Sequence, residues 1–504
     1  MLNLSCSSLI FLGALSTAQD STPQDREQRT PRALMVFIDG FVPAAIASTD
    51  TPTLDRLMQK GAWSLRARAE STTISGSGWS TFHTGVHWDK HGIPDNNFAT
   101  PKTDKYPSIL KLLKQKQPDA VTACAQSWKP IQKFLVAPAE PSHSGFYDYY
   151  QFNKDYFDER SCDELCVTYL QPLLAREPID LTIMMFGELD GVGHLDGNRH
   201  YHAGDPDYQR MLHMVDTRLG RLIASIESRP SYASEDWLIA ITSDHAGSQR
   251  GGHGRNIPEH REMPIIISGG TIVPGEIWPP PSAVDLVPTV LSHLGIKQDP
   301  AWDLDGRTLA TSATKKPSAA IGVNLIYNGG GEEDRPFNGF VGQPDASIAG
   351  WEDPGWMSLI AYGSEGFLPV FNHPYASIGR GFFAANDTKN GARMEQTIDL
   401  TPIKDSFIQG CNFKLSALLG NRGPDGDSLR VHLTFLNDKE ERLETAELQT
   451  LTKGQRRGAT CMRYAQALGL VPPDAVSVRV TVETPRRGGN HGGFADNIEL
   501  ILQD

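Results

Sequence analysis

Three apolar runs, Leu34 to Ile38, Leu181 to Phe186 and Leu238 to Thr242, are continuous rather than alternating, the pattern of strands buried on both faces of a parallel sheet. Helical spacing appears between and after them. From Tyr208 to Ser228 the apolar residues Met211, Leu212, Val215, Leu219, Leu222, Ile223 and Ile226 fall on one stripe, and Val287, Val290 and Leu291 repeat the spacing within Val284 to Leu294. Strand and helix signals in alternation predict an α/β domain, a mostly parallel sheet flanked by helices, over residues 33–312. The polar stretch Thr311 to Ser318 has no period, and beyond it the pattern changes to alternation. Leu429, Val431, Leu433 and Phe435 form one such run and Val476, Val478, Val480 and Val482 another, separated by Gly, Pro, Asn and Asp clusters. An all-β sandwich over 321–504 is therefore expected after a linker over 313–320.

The start of the chain reads differently from both domains. Leu9 to Leu15 is apolar but far too short to span a bilayer, and it leads to the small residues Ser16-Thr17-Ala18. This predicts a signal peptide over 1–18, a polar linker over 19–32, and a secreted, periplasmic or cell-surface protein without a membrane span. The expected basic residues before Leu9 are lacking. Composition changes the picture only by exclusion: a formal net charge of -13 without a dense basic run argues against binding a nucleic-acid duplex. Beyond the signal, Cys124, Cys162, Cys166, Cys411 and Cys461 are odd in number, so at least one thiol stays unpaired within a monomer. Cys162 and Cys166, four apart, read as structural residues or a local bridge.

Each of the apolar runs ends in groups that bind metals. Leu34 to Ile38 delivers Asp39, Leu181 to Phe186 delivers Asp190 and His194, and Leu238 to Thr242 delivers Asp244 and His245, followed by His253. A lone Asp-Gly is usually a turn and a lone Asp and His pair usually a solvated surface, but the carboxyl ends of parallel strands are where an open α/β sheet places its active site. Mixed carboxylate and imidazole ligands suit zinc, at about three protein ligands per ion, so these residues match two divalent ions, most simply Zn2+. Two such ions suit in-line displacement at phosphorus. The missing nucleophile should be a hydroxyl at a helix start.

The segment Ser71-Thr-Thr-Ile-Ser75-Gly-Ser77-Gly-Trp79-Ser-Thr-Phe-His83-Thr84-Gly85, followed by His91-Gly92-Ile93-Pro94-Asp95-Asn96, supplies one. With the Asp and His residues above and the helix signature Val284 to Ile296, it resembles the type I phosphodiesterase and nucleotide pyrophosphatase branch of the alkaline phosphatase superfamily, over roughly residues 33–310. In that branch a Thr or Ser nucleophile lies ten residues before the Gly of a Thr-Gly pair, which points to Ser75. The resemblance implies that Asp39, Asp244 and His245 hold the zinc that contacts Ser75 Oγ. It places Asp190, His194 and His253 on the other zinc, and Asn96 on a phosphoryl oxygen. A phosphoseryl intermediate, released by water, would follow.

The chain departs from the family at several points. Ser-Gly-Ser-Gly replaces a frequent Thr-Phe-Pro-Asn, which leaves Ser77 as a rival nucleophile. A sulfatase motif begun at Ser75 would need proline where Ser77 stands and arginine where Trp79 stands. The interval from His245 to His253 is short, without the long insertion of nucleotide pyrophosphatases. Some monoester-preferring relatives place a Lys near the extra phosphate charge, and Lys129 lies in a segment where that could happen; the competing account is a solvated surface cation. His83, His87 and His91 repeat every four residues and imitate a metal stripe, but read better as ordinary partly buried imidazoles.

Residues 321–504 resemble jelly-roll modules of the discoidin or carbohydrate-binding kind, through Asn328-Gly-Gly-Gly331, Gly379-Arg380-Gly-Phe-Phe383 and Phe494-Ala-Asp496-Asn-Ile-Glu499-Leu500. Glu332, Asp496 and Glu499 offer the hard oxygens a structural Ca2+ needs, against the alternative of solvated edge acids. Trp351, Trp356 and Tyr375 are candidates to stack on a carbohydrate or surface ligand, or are core. The resulting expectation is a metal-dependent hydrolase of a small-molecule phosphate ester, diester or monoester. The alternatives are a sulfatase and a surface binding protein whose α/β domain is a dead scaffold. Retention of the full set of ligands and a hydroxyl speaks against the last.

Overall fold

The computed structural model describes residues 29–70, 72–136, 147–152, 159–249, 252–255, 258–278, 280–309, 319–332, 336, 348–355, 357–364, 368, 379–385, 392–423, 429–450, 452–484 and 493–503. The expected signal peptide and most of the expected interdomain linker lie outside the described residues. Among those described, no helix is long and apolar enough to cross a membrane.

The first domain is built on an eight-stranded sheet. Its strands are β1 (Thr30–Ile38), β2 (Ala62–Arg68), β3 (Thr122–Gln126), β4 (Tyr149–Phe152), β5 (Leu181–Phe186), β6 (Glu235–Thr242), β7 (Glu262–Gly269) and β8 (Gly275–Glu276), in the spatial order β4-β3-β5-β1-β6-β7-β2-β8. All pairings from β4 through β6 are parallel, and only β7 runs against its neighbours. The three continuous apolar runs are thus three adjacent central strands. β5 and β6 flank β1 in parallel, with Ile38 opposite Phe186 and Phe37 opposite Thr242, so their C-terminal ends lie side by side.

Both faces of the sheet are covered, which is why these strands do not alternate. Met35 and Phe37 pack with Leu110, Val287 and Leu291 on one face, while Leu34, Val36 and Ile38 pack with Leu212, Val215 and Leu219 on the other. The expected long helix spans Pro206–Glu227. It starts there because Asp205 caps it, accepting a hydrogen bond from Tyr208 N, and Pro206 needs no donor at the first turn. β1 begins before its apolar run because the polar Arg32 is buried, held by Glu235 and the carbonyl of Ile179. Residues 30–32, expected as linker, are therefore strand.

The second domain is a sandwich of two five-stranded sheets. One joins β10 (Met357–Ala361), β11 (Gly381–Ala385), β18 (Phe494–Gln503), β13 (Asn412–Asn421) and β16 (Cys461–Leu470); the other joins β15 (Arg442–Gln449), β14 (Arg430–Leu436), β17 (Ser477–Glu483), β12 (Arg393–Asp399) and β9 (Glu352–Gly355). The strand pairs in these sheets are antiparallel. Val431, Leu433 and Phe435 meet Leu415, Ala417 and Leu419 in the core, so the alternation in the sequence is the two-sidedness of each strand.

Candidate metal centre and active site

Asp39, Asp190 and Asp244 follow β1, β5 and β6, so sheet order alone brings residues two hundred positions apart to one edge. Asp39, Asp244 and His245 are buried, and their ligand atoms lie within 4.8 Å of one another. His245 Nε2 is 3.2 Å from Asp244 Oδ2 and 3.6 Å from Asp39 Oδ1. All three atoms are buried yet lack a hydrogen-bond partner. The opposite sides of the same groups are held firmly. Trp79 Nε1 donates to Asp39 Oδ2 at 3.0 Å, Gly40 N to Asp244 Oδ1 at 3.3 Å, and the His245 ring lies with Nδ1 3.0 Å from the carbonyl of Ala246. The side of each group that faces the cluster is therefore the side left without a partner.

Electrostatics point the same way. Burial, then the charges of Asp244 and Asp190, push the Asp39 carboxyl well above its ordinary range. Burial and Asp190 push Asp244 up to about 7, and burial holds His245 well below an ordinary imidazole. Unpaired buried groups of this kind cost free energy unless a cation offsets them, so the residues fit a divalent metal.

Asp190 and His253 continue the cluster. Their ligand atoms gather with His245 within 4.8 Å, and the His253 ring stacks on His245 at 3.8 Å. His194 was expected as their partner; its Nε2 lies 3.2 Å from both Asp190 Oδ2 and His253 Nε2, so it borders the group in which His245 is the shared member. His253 Nδ1 lies 2.9 Å from the carbonyl of Thr73, which leaves Nε2 for the site. Burial opposes ionisation of Asp190, but the His194 hydrogen bond and the charges of His245, His194 and His253 outweigh it and bring its carboxyl to about 2.

The Ser75–Thr84 helix enters this site at its first residue. Ser75, Asn96, Asp39, Asp190, His194 and His253 line one cleft of about 210 Å3, with Ser127, Trp128, Cys162, Met185 and Gly187 completing it. Ser77 is fully buried and is not among the lining residues. The glycines around it have a steric reason. A Cβ on Gly78 would lie 2.5 Å from Asp244 Cβ, and one on Gly76 would overlap the carbonyl of Asp95. Asn96 Oδ1 accepts a hydrogen bond from Gly76 N at 2.7 Å, so the helix start and the Asn are one unit. Before the helix, Thr73 has φ 41, a strained conformation for a β-branched residue. Its carbonyl accepts Gly254 N and its hydroxyl donates to the carbonyl of Arg255, pinning the turn to the His253 loop.

Other candidates fall elsewhere. Lys129 begins a short helix, is exposed, and does not line the cleft, although Ser127 and Trp128 do. The His stripe is dispersed: His83 pairs with Ser108, His87 with Glu70 and His91 with Thr81, so it is no metal stripe. Cys162 and Cys166 are not disulfide-bonded, which removes the local bridge. In the sandwich, Glu332 binds Arg380, Asp496 accepts from the Tyr362 hydroxyl, and Glu499 lies near Ser416. Among the described residues these three acids do not form a ligand cluster of the kind seen at Asp39. Trp351 is core, with its Nε1 donating to Asn328 O, while Trp356 and Tyr375 lie outside the described residues.

Three supporting residues escaped the sequence reading: Trp79 on Asp39, Tyr201 on Asp190, and Asp163, whose carboxylate accepts Gly187 N and Glu188 N where β5 hands the chain to Asp190. Tyr201 and Asp163 sit in no motif; only Trp79 lay inside a segment already singled out.

Residues 33–251 match the family described as Type I phosphodiesterase / nucleotide pyrophosphatase, a span that stops short of His253 and of the expected end near 310. Ectonucleotide pyrophosphatase/phosphodiesterase family member 7 of Homo sapiens is 22% identical over 264 residues, 49% of this chain and 53% of that protein. Its Mus musculus counterpart is 26% identical over 242 residues, 43% of this chain and 50% of that protein. The chain thus spans about half the length of these curated relatives. Among solved structures, BT1596, a 2-O GAG sulfatase, aligns with a TM-score of 0.41 at 16% identity, covering 56% of this chain and 76% of that one.

Proposed function

We propose, from the match of residues 33–251 to the type I phosphodiesterase / nucleotide pyrophosphatase family, that this protein is a metal-dependent hydrolase of the alkaline phosphatase superfamily, acts on phosphate esters with a preference for diesters, and uses Ser75 as its nucleophile. The observation that carries the reading is the trio of buried, unpartnered ligand atoms on Asp39, Asp244 and His245, beside the cleft onto which Ser75 opens. The candidate holders are these three residues for one ion, and Asp190, His194 and His253, with His245 between the groups, for a second; carboxylate and imidazole together favour zinc. Bound divalent ions supply positive charge for the phosphoryl oxygens and lower the pKa of a hydroxyl or water.

The chain's own residues do the rest. Ser75 Oγ forms its bond to phosphorus as the ester oxygen departs, and water then breaks the Oγ–P bond, restoring the serine hydroxyl and releasing the phosphate product. Asn96 spends its Oδ1 on Gly76 N, which leaves its amide N–H groups for a non-bridging oxygen as charge shifts onto it. The helix start adds partial positive charge on the same side.

The lining supports the preference for diesters. Among the described lining residues none is Lys or Arg, and the wall of Trp128, Cys162, Met185 and Gly187 is apolar. A dianionic monoester would meet no side-chain cation for its extra charge, whereas a second ester substituent finds surface to cover. At about 210 Å3 the cleft takes the phosphoryl group and leaves most of a larger substrate outside. The missing proline and arginine after Ser75 speak against the sulfatase reading. Export from the cytoplasm belongs to the same proposal, and N-terminal sequencing of the mature protein should find residues 1–18 removed.

The test is turnover of matched aryl phosphate diester, phosphate monoester and sulfate substrates by zinc-replete protein, with Ser75→Ala and a chelator as controls. Diester turnover should exceed the other two and vanish in both controls. No turnover of any substrate by fully metallated protein would leave the binding-protein alternative standing.

A further inference from the structure

Tyr201 is buried in the first domain and belongs to no motif, yet it touches every component of the Asp190 side of the site. Its hydroxyl donates a hydrogen bond to Asp190 Oδ1 and lies 3.3 Å from the Asp190 carbonyl. The carboxylate is thereby divided: Oδ1 is committed to Tyr201, and Oδ2 is the oxygen 3.2 Å from His194 Nε2. The ring stands edge-on to His194, with centroids 5.4 Å apart, and to His253 at 6.0 Å.

The ring is also wedged between two ligand-bearing segments. On one side is Gly193, in the turn from Asp190 to His194; on the other is Gly247, two residues after His245. A Cβ on either glycine would overlap the ring, so both positions are held to glycine by this side chain. The Tyr208 ring lies 6.4 Å away and its hydroxyl donates to Gly40 O at 2.5 Å, which extends the support to the segment after Asp39. An aromatic spacer that fixes the distance between two loops, with one polar atom at its tip, needs a buried partner for that atom. Here the partner is a carboxylate of the candidate metal centre.

We propose that Tyr201 is the positioning residue of the Asp190 half of the site, holding Asp190 Oδ2 toward the ligand cluster and setting the spacing of Asp190 and His194 from His245. The inference rests on the metal-dependent reading above. Hydrogen-bond partners of metal ligands typically tune affinity by about 10- to 100-fold. Tyr201→Phe keeps the ring between the two glycines and removes only the hydroxyl, so the fold is retained while Asp190 is freed to rotate.

The experiment is a calorimetric titration of metal-free, full-length protein with Zn2+, repeated with Co2+ to follow its visible absorption, and accompanied by thermal unfolding of the metal-free proteins. Wild type should take up two ions. In Tyr201→Phe one binding step should weaken by about 10- to 100-fold, with a changed Co2+ spectrum for that step, while the other step is unaltered. Gly247→Ala, which leaves the hydroxyl present but displaces the ring, should weaken the same step. A purely structural Tyr201 would instead lower the unfolding temperature of the metal-free protein and leave both steps intact, and that result overturns the inference. Equal weakening of both steps also overturns it. A wild type that takes up two ions, with unchanged titration of Tyr201→Phe, sinks only this inference; a wild type that takes up none sinks the proposed function with it.

Discussion

At the scale of single residues, the sequence left two serines in competition, and burial separates their positions: Ser75 opens on the cleft whereas Ser77 is enclosed. Ser75→Ala should therefore lower kcat by at least about 1,000-fold with zinc uptake retained, and Ser77→Ala should not do so in steady-state assays. Lys129 is exposed and outside the lining, so Lys129→Ala should leave kcat/KM for diester and monoester within about twofold, since a solvated surface cation contributes little. Away from the site, burial alone would raise the Glu70 carboxyl, but His87 and the Thr81 hydroxyl outweigh it and hold it down to about 2; burial lowers His87, and Glu70 more than restores it, to above its ordinary value. The sign follows from linkage. The Glu70 contribution is complete above about pH 4.5 and is lost as pH falls toward 2, while that of His87 is complete below about pH 6.5 and is lost as pH rises through its higher folded value. Glu70→Gln should thus cost about 2 kcal/mol at pH 6, allowing for the partly exposed His87 ring, and the difference in unfolding temperature should shrink at both pH 3 and alkaline pH.

At the scale of elements, the helix carrying Ser75 shows how a motif's departures are read. In sequence, Ser-Gly-Ser-Gly is a departure from the frequent Thr-Phe-Pro-Asn. The structure gives it a packing cause, because the helix start lies against Asp244 and Asp95 so closely that side chains at Gly76 and Gly78 have no room. Gly78→Ala should destabilise the protein by about 1–3 kcal/mol in urea denaturation and weaken metal binding, since the intruding methyl displaces Asp244. Where β5 meets Asp190, Asp163 satisfies two buried backbone donors. Asp163→Ala should cost about 2–4 kcal/mol by the same measurement, as both N–H groups lose their partner. Strands β1, β5 and β6 were legible because burial on both faces leaves uninterrupted apolar runs. The polar start of β1 was not, since Arg32 is made tolerable there by remote partners: Glu235, more than two hundred positions away, Asp180 and the carbonyl of Ile179.

At the scale of the whole molecule, the candidate site should couple metal to stability. Asp39 and Asp244 are buried and pushed upward in the metal-free chain, so a chelator should abolish turnover and lower the unfolding temperature, and zinc should restore both. At free metal about 100-fold above Kd, binding to the folded state alone contributes about 2.7 kcal/mol, readily seen in a thermal scan. The sandwich, by contrast, should show no zinc-dependent change, because Glu332, Asp496 and Glu499 are engaged separately. By itself the sequence determined the two architectures and singled out the Asp and His residues that gather at the sheet edge, because strand burial writes a local apolar period and those groups directly follow the strands. Only the tertiary structure decided which serine faces the cleft, that His245 is shared between the two ligand groups, and that Tyr201 and Asp163 brace the ends of the strands. Those are contacts between segments remote in the chain, and neither periodicity nor motif spacing carries the distance between them.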